Sequence, residues 1–307
     1  MSTTSDEAQP FSKKRGLGKI LYHTTSKPKS LLSAAFRYAS SFTRTLPNFI
    51  IIGAHKGGTS TLYHYICSHP DVVSASQKEV HFFDCENYTK GLNWYRSHFV
   101  TQQKLLRYQE SYGRPLLTGE ATPFYLFHPL VPERAFNLLP NVKLIVLLRN
   151  PVDRAYSHYK MNCRRGVEEL TFEEAISQEA ARLEPFLDVF LKNAGDTSIG
   201  FKSDYARYSY LARGLYANQI SRWLKFYKRE NILALKSEFF FGETDLAMQQ
   251  VFQFLNLPEI QVDISRKMNV GGYGNSMNPC IKNYLIDYFY LHNIELSKLL
   301  QEDFNWN

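Results

Sequence analysis

Residues 47–62 place a buried strand, a glycine turn and the start of a helix in immediate succession. Residues 49–52 are an unbroken apolar run rich in β-branched side chains, which is typical of a strand covered on both faces of a parallel sheet. Gly53 ends this run, and Gly57 and Gly58 let the backbone turn tightly and approach a ligand. Backbone N–H groups and the positive end of the helix dipole then point at one spot, which suits a phosphate group. The stretch therefore predicts an α/β fold with an anion site after its first strand.

Lys56 adds a full positive charge to this turn, and Thr59, Ser60 and Thr61 supply hydroxyl groups and an expected N-cap for the helix. In the P-loop of nucleotide triphosphatases, the lysine follows the last glycine and is itself followed by a Ser or Thr that binds magnesium. Here the lysine precedes the glycine pair, so that pattern fails. The residues alone leave open an anion-binding loop of another kind and a plain glycine turn with a chance lysine.

A second buried strand is predicted at residues 142–148, followed by Arg149 and by a helix at 152–163 that contains Ser157. Ligands of open α/β sheets bind outside the carboxyl ends of the strands, so Lys56 and Arg149 should face one crevice. A magnesium-dependent nucleotide triphosphatase often has Asp at this strand end. An arginine there favours a second anionic group over a metal ion.

Glu79 and His81 alternate with apolar residues in the segment 76–84. In an extended chain this alternation places both side chains on one side, where a carboxylate and an imidazole shift each other's pKa and accept protons. The alternative is a surface carboxylate beside a packed histidine, which is the better interpretation of these two residues alone. Glu120, at the end of a strand predicted at 116–122, is a second candidate carboxylate.

Length and charge narrow the class of protein. The 307 residues suffice for one large α/β domain, and the formal net charge of +7 favours an anionic partner such as a charged cofactor or an acidic glycan. Nucleic acid is not indicated, because no DNA- or RNA-binding motif occurs. Four scattered cysteines without a CxxC pair predict neither zinc nor a disulfide, and they suggest reduced thiols in a cytoplasmic protein.

Residues 1–45 are predicted to be a flexible basic arm in front of a domain at 46–307. No apolar run is long enough for a transmembrane helix, and the first residues do not read as a secretory signal. A group of apolar residues in the arm has helical spacing and lies near three basic residues. These apolar residues are Leu31, Leu32, Ala35, Phe36 and Ala39, and the basic ones are Lys29, Arg37 and Arg44. A helix packed on the domain is favoured, with weak contact to a membrane surface and a transit peptide as alternatives.

Four motifs occur in order, and together they resemble the sulfotransferases that use 3′-phosphoadenosine-5′-phosphosulfate (PAPS, 3′-phosphoadenylyl sulfate). The likeness is to the heparan sulfate branch, glucosaminyl N- and 3-O-sulfotransferases, and its soluble microbial relatives, over residues 47–306. The motifs are IGAHKGGTSTL at 52–62, KEVHFFD at 78–84, NYTKGLNWY at 87–95 and RNPVDRAYSHY at 149–159.

The resemblance implies a P-loop-like three-layer α/β fold in which helices flank a central parallel sheet. It implies that the 5′-phosphosulfate is held by Lys56, Gly57, Gly58, Thr59, Ser60 and Thr61. Arg149 and Ser157 would bind the 3′-phosphate, Glu79 would be the general base and His81 its neighbour in catalysis. No metal is implied. The activity implied is in-line transfer of a sulfuryl group from PAPS to a hydroxyl or amine of a carbohydrate or small molecule.

Relatives often carry a basic glycine loop near the C-terminus that closes over PAPS, but residues 271–275 lack a central basic residue. Relatives also often have a disulfide there, and Cys280 is the one cysteine nearby, so none is predicted. Two other functions stay open: a nucleotide-dependent kinase or triphosphatase, and a non-catalytic module that binds anions or glycans. The presence of both Lys56 and Glu79 argues against the module. The sequence specifies neither the acceptor nor the oligomeric state.

Overall fold

A computed structural model of the chain describes residues 28–192, 199–261, 263 and 276–306. Five strands lie in these ranges: β1 (Phe49–Gly53), β2 (Val72–Ser74), β3 (Leu117–Ala121), β4 (Lys143–Leu148) and β5 (Ile232–Lys236). All four neighbouring pairs are parallel, and the order across the sheet is β2-β3-β1-β4-β5. The predicted parallel sheet is therefore confirmed, with β1 at its centre.

Helices connect these strands and cover the sheet. The helices of the described residues are α1 (Pro28–Ala39), α2 (Thr59–Cys67), α3 (Gly91–Arg96), α4 (Gln102–Tyr112), α5 (Val131–Leu138), α6 (Pro151–Arg164), α7 (Phe172–Ser177), α8 (Glu179–Lys192), α9 (Asp204–Tyr208), α10 (Tyr216–Leu224), α11 (Ser237–Gly242), α12 (Thr244–Leu255) and α13 (Pro279–Leu300). Short 3-10 helices lie at Ser41–Thr43, Glu86–Lys90, Ala212–Gly214 and Arg229–Asn231.

Both faces of the sheet are packed, as the unbroken apolar run of β1 predicts. Ile50 and Ile52 point to one face, where they share a core with residues of α5, α10 and α13. Phe49 and Ile51 point to the other face and pack with residues of α2 and α12. Alternate residues of one buried strand thus serve two cores, which gives the predicted three-layer α/β architecture.

Two predicted helices differ from the structure at their starts. The sequence pattern predicts a helix at 211–227, but a 3-10 helix is followed by Leu215 at ψ 65°, and α10 begins only at Tyr216. Leu215 cannot continue a helix at that angle, so the apolar pattern spans two short elements. The first helix after β1 begins at Thr59, earlier than the predicted Leu62.

Part of the predicted N-terminal arm is described. Residues 28–39 form α1, which packs against α3, while residues 1–27 lie outside the described part of the chain. The domain boundary at residue 45 stays a prediction. Among the described residues, no helix combines the length and apolar character needed to cross a bilayer. All four cysteines are described, and none is in a disulfide, as predicted.

Candidate active site

The glycine loop, residues 53–58, is fixed by backbone contacts to the neighbouring strand. Ala54 N donates to Leu147 O of β4 at 2.9 Å, and Gly57 N donates to Ala54 O at 2.9 Å. A Cβ atom on Gly57 would lie 2.4 Å from Leu147 O, so no side chain fits at this position. Lys56 adopts a left-handed φ of 71°, which is costly for a residue with a Cβ atom. Packing against β4 thus imposes the shape of the loop.

The start of α2 presents backbone donors to the loop. The N-cap is Gly58, at φ 100°, and no side chain of the described residues caps this end. The prediction that Thr59, Ser60 or Thr61 would be the N-cap is therefore wrong, because the left-handed glycine lets helical geometry begin directly at Thr59. Thr61 N donates to Gly58 O at 3.0 Å, so the amides of Thr59 and Ser60, which precede it, are the ones placed to suit the oxygens of an anion.

Arg149 lies beside this loop, as predicted. Its Nη1 donates to Lys56 O at 3.3 Å, and Tyr216 donates from its hydroxyl to Arg149 O at 2.9 Å. The contact forms because β1 and β4 are parallel neighbours that end at the same edge of the sheet. Ser157 lies in α6, where it is buried. Lys56 and Arg149 are thus neighbours at one edge of the sheet, and a common anion site between them stays a prediction.

Behind the loop lies a buried cationic group that the sequence reasoning missed. Arg154 is completely buried, donates to Tyr210 O, and has no hydrogen-bond partner for Nε and Nη1 within the described residues. Burial, together with the charge of Arg154, lowers the pKa of Arg213 to about 9. The buried carboxylate Glu179 accepts hydrogen bonds from the backbone of Leu211 and Ala212 and is the acid coupled to both arginines.

Two histidines lie next to these arginines, and they add no charge to the region. The rings of His55 and His158 meet edge to face, with their centroids 4.8 Å apart. Burial holds the pKa of each imidazole well below its usual range, and nearby arginines add to the shift. Both rings are therefore neutral at pH 7. The spacing of Arg154 within RNPVDRAYSHY was the available signal, but helical periodicity alone does not distinguish a buried arginine from a surface one.

Glu79, His81 and Asp84 form a line of hydrogen-bonding groups at the same edge of the sheet. Glu79 N donates to Ala121 O at the end of β3, at 3.1 Å. His81 Nε2 lies 3.5 Å from Glu79 Oε2, and His81 Nδ1 lies 2.7 Å from Asp84 Oδ2. Lys78 Nζ contacts Glu79 Oε1 at 2.6 Å. The Glu79 side chain is 45% exposed, whereas Asp84 is fully buried, so the line runs from solvent into the core.

The pairing of Glu79 with His81 arises differently from the prediction. The segment is not an extended strand, since Glu79 and His81 both have left-handed backbones, with φ of 62° and 52°. The two side chains meet because the chain is bent, and not because residues alternate. Non-glycine residues with such angles are uncommon and concentrate at functional sites.

These contacts fix the charges of the group. Burial opposes the protonation of His81, but the hydrogen bonds and charges of Asp84 and Glu79 prevail and raise its pKa to about 9. Burial likewise opposes the ionisation of Glu79, but His81 and Lys78 prevail and lower its pKa to about 2. At pH 7 the exposed end of the line is therefore an ionised carboxylate held between two cations.

Glu120, the second candidate carboxylate, is inside the protein. It is fully buried, and its oxygens accept hydrogen bonds from Tyr95 at 2.6 Å and Thr122 at 2.7 Å. Burial raises its pKa to about 7, although both hydrogen bonds act in the opposite direction. With no exposed oxygen, Glu120 cannot reach a substrate in this structure. Its role is to anchor Tyr95 of the aromatic segment 87–99 in the core.

An aromatic ring covers the histidine. Phe201 stacks on His81 with centroids 3.6 Å apart and an angle of 15° between the planes. Beside it opens a pocket of about 210 Å³ lined by Cys85, Gly200, Phe201, Lys202 and Ser203, together with Glu86. Sequence reasoning missed Phe201, since it lies in an irregular segment with no motif. The predicted glycine-rich loop at 267–275 lies outside the described residues.

The fold is a parallel α/β sheet with a glycine loop after its central strand and Arg149 beside that loop. The sequence profile of the sulfotransferase domain family matches residues 46–270, and the chain belongs to this family. The resemblance inferred from the four motifs is therefore confirmed.

Three similar proteins agree with this assignment. A membrane-associated sulfotransferase of Dictyostelium discoideum, kil1, is 30% identical over 85% of this chain and 66% of its own length. Human heparan sulfate glucosamine 3-O-sulfotransferase 5 is 33% identical over 69% of this chain and 54% of its own length. A crystal structure of a sulfotransferase from Alicyclobacillus acidocaldarius matches with a TM-score of 0.62 and 29% identity, covering 85% of this chain and 99% of that one. The chain thus spans about half to two thirds of the two curated relatives.

Proposed function

We propose that the protein transfers a sulfuryl group from PAPS to a hydroxyl or amine of a glycan or small-molecule acceptor. The observation that carries this proposal is the contact of Arg149 with the Lys56 carbonyl, which unites two cationic positions at one edge of the sheet. PAPS has a phosphosulfate at its 5′ end and a phosphate at its 3′ position. A protein that binds it therefore needs two cationic positions, one for each anionic group of the same nucleotide. The membership of the sulfotransferase family supports the same donor.

The glycine loop fits the 5′ end of the donor. Gly57 and Gly58 leave the backbone unobstructed, and the uncapped amides of α2 can donate to the phosphate and sulfate oxygens. Lys56, Thr59, Ser60 and Thr61 would add one charge and three hydroxyl groups. Arg149 and Ser157 would receive the 3′-phosphate. The two buried guanidinium groups of Arg154 and Arg213, which are both coupled to the buried acid Glu179, make the region behind the loop more favourable for an anion.

Glu79 would act as the general base. It would accept the proton of the acceptor as the acceptor oxygen or nitrogen bonds to sulfur. The bond from sulfur to the bridging oxygen breaks, and its electron pair stays on the phosphate, where Lys56 would stabilise the negative charge. Charge, protons and electrons balance without a metal ion. The absence of a metal requirement stays a prediction.

A carboxylate with a pKa near 2 is a weak base, but the reaction tolerates it. The acceptor hydroxyl becomes strongly acidic only as its oxygen bonds to sulfur, so proton transfer late in the step has a favourable driving force. His81 and Lys78 would keep Glu79 ionised at pH 7 and well below it. Asp84 would keep His81 protonated and correctly oriented, and is best described as a positioning residue.

The test is a transfer assay with ³⁵S-labelled PAPS and a panel of hydroxyl and amine acceptors, run in the presence of a chelator. We expect the label to pass to an acceptor without added magnesium. We also expect calorimetry to detect binding of the desulfated product, 3′-phosphoadenosine 5′-phosphate (PAP), to the protein. Phosphoryl transfer from ATP with magnesium, without PAP binding, would instead support the kinase alternative. PAP binding with no transfer to any acceptor would support the non-catalytic module.

A further inference from the structure

Helix α1 exposes apolar side chains that a surface helix normally buries. Leu32 and Phe36, one turn apart, are 73% and 70% exposed, and Phe42 of the following 3-10 helix is 71% exposed. We call these three residues the apolar patch. On the same helix, Arg37 is half-buried and donates from Nη1 to Ser33 Oγ at 3.0 Å. Among the α1 residues whose side chains are described, Arg37 alone is partly buried, and the apolar residues Leu32 and Phe36 are exposed.

The position of the patch is fixed by the structure that follows it. Arg44 is buried and donates from Nη1 to Phe99 O at 2.7 Å, and Thr45 N donates to Val100 O at 3.0 Å. Arg44 also forms an antiparallel bridge with Thr101, which caps α4. The exposure of Phe42 is therefore not that of a loose chain end.

The surroundings of the patch are cationic. No Asp or Glu occurs between Glu7 and Asp71, and Arg37 and Arg44 are the charged residues with described side chains from 32 to 55. Burial, together with the charges of Arg37 and Lys90, lowers the pKa of His98 to about 4, and both cations therefore lie near His98, just after α3. Helix α4, which begins beside the 3-10 helix, exposes Lys104 and Arg107.

We propose that this patch binds the surface of an anionic lipid bilayer. Aromatic and aliphatic side chains enter the boundary between headgroups and acyl chains, while surrounding lysines and arginines pair with anionic headgroups. A second copy of this chain fits less well, because two such cationic surfaces would repel each other. The proposal does not depend on the sulfotransferase activity, since it rests on residues outside the glycine loop and the Glu79 region.

The test uses the full chain and sedimentation with phosphatidylcholine vesicles, with and without phosphatidylserine. We expect binding to the anionic vesicles, weakening as salt is raised. Phe36→Ser with Phe42→Ser should reduce the partition coefficient roughly tenfold or more. The matched control is Leu291→Ser, because Leu291 is 71% exposed on α13, and it should bind like the unmodified protein.

A second measurement reports directly on insertion. Tryptophan emission of Phe36→Trp should shift to the blue with anionic vesicles and not with neutral ones, whereas Leu291→Trp should not shift. Equal vesicle binding by the double serine variant, or no shift for Phe36→Trp, would overturn the proposal. So would a protein dimer that the double variant dissociates in the absence of lipid, since the patch would then be a protein interface.

Discussion

The two halves of the candidate site are built in different ways. On the donor side, backbone atoms at the ends of adjacent strands define the geometry, as in the contact of Arg149 with the Lys56 carbonyl. On the acceptor side, ionisable side chains on an irregular segment define it, as in the line from Glu79 through His81 to Asp84. The donor side therefore depends on shape and the acceptor side on charge. A substitution that changes only the shape of the loop should affect donor binding, and one that changes only a charge should affect turnover.

The largest effect is expected from Glu79→Gln, which removes the proton acceptor but keeps the shape of the side chain. Turnover should fall by roughly a hundred- to ten-thousand-fold, while PAP binds as before. Sulfate transfer and calorimetry on the same preparations measure the two outcomes. Glu110→Gln, on an exposed face of α4, is the control. Unchanged turnover in Glu79→Gln would remove Glu79 as the base.

Gly57→Ala should have the opposite effect to Glu79→Gln: it should weaken PAP binding and leave the ionisable groups around Glu79 unchanged. Its Cβ would meet Leu147 O at 2.4 Å, so the loop must move and the affinity for PAP should fall about a hundredfold. The pKa of His81, measured by NMR titration, should stay near its original value. Gly242→Ala is the matched control, since nothing lies within 4 Å of its added Cβ. If Gly57→Ala binds PAP with normal affinity, the close contact between Gly57 and the Leu147 carbonyl is not required for the shape of the donor site.

Asp84→Asn should act through charge alone. The pKa of His81, about 9 in the unmodified protein, should fall toward or below 6.5 and be visible by NMR. Because the folded-state pKa of His81 is raised, its contribution to stability is complete below about 6.5 and is lost as pH rises through about 9. The unmodified protein should therefore melt at a higher temperature than Asp84→Asn at pH 6, and this difference should become smaller as the pH is raised to 10.

Protonated His81 contacts Glu79, so turnover should fall as His81 loses its proton at high pH. In Asp84→Asn this fall in the pH–rate profile should move to lower pH, with PAP affinity unaltered at pH 6. Asp204→Asn, on an exposed residue paired with Arg207, serves as the control. An unchanged profile and an unchanged His81 titration would exclude Asp84 as a positioning residue.

The smallest effect is expected from Phe201→Ala, which removes the ring stacked on His81. Loss of one aromatic contact corresponds to roughly a two- to tenfold change, and we expect it in the KM for the acceptor rather than in PAP binding. Steady-state kinetics at saturating PAPS measures this. A larger loss of PAP affinity than of acceptor affinity would place Phe201 on the donor side. Phe201→Leu, which keeps an apolar cover, should recover part of the loss.

The sequence predicted that Lys56 and Arg149 lie together, because this follows from topology, and their binding of the donor stays a prediction. An apolar run, a glycine pair and an arginine after the next buried strand suffice to bring Lys56 and Arg149 together once the sheet is parallel. The N-cap was predicted wrongly, because a left-handed Gly58 is indistinguishable in sequence from an ordinary turn glycine. The fold class and most element boundaries followed from the same apolar patterns.

The acceptor side was predicted in its residues but not in its geometry. Glu79 and His81 do meet, yet through two left-handed backbones that no periodicity encodes. Asp84 was visible in the motif without a role, because its burial depends on tertiary packing. Phe201 had no local signal, and the motif around Arg154 did not reveal that this arginine is buried, since both features are defined by contacts over long sequence separations. The sequence thus did not predict which polar side chains are buried or how the irregular segments are bent.

The central claim is that Lys56 and Arg149 grip the two ends of one nucleotide. Calorimetry of Arg149→Ala with PAP and with adenosine 5′-monophosphate, which lacks the 3′-phosphate, tests this most directly. We predict that the affinity for PAP falls by about ten- to a hundredfold while the affinity for the monophosphate barely changes. Equal losses for both nucleotides would contradict the claim, because Arg149 would then support the loop without binding the 3′-phosphate.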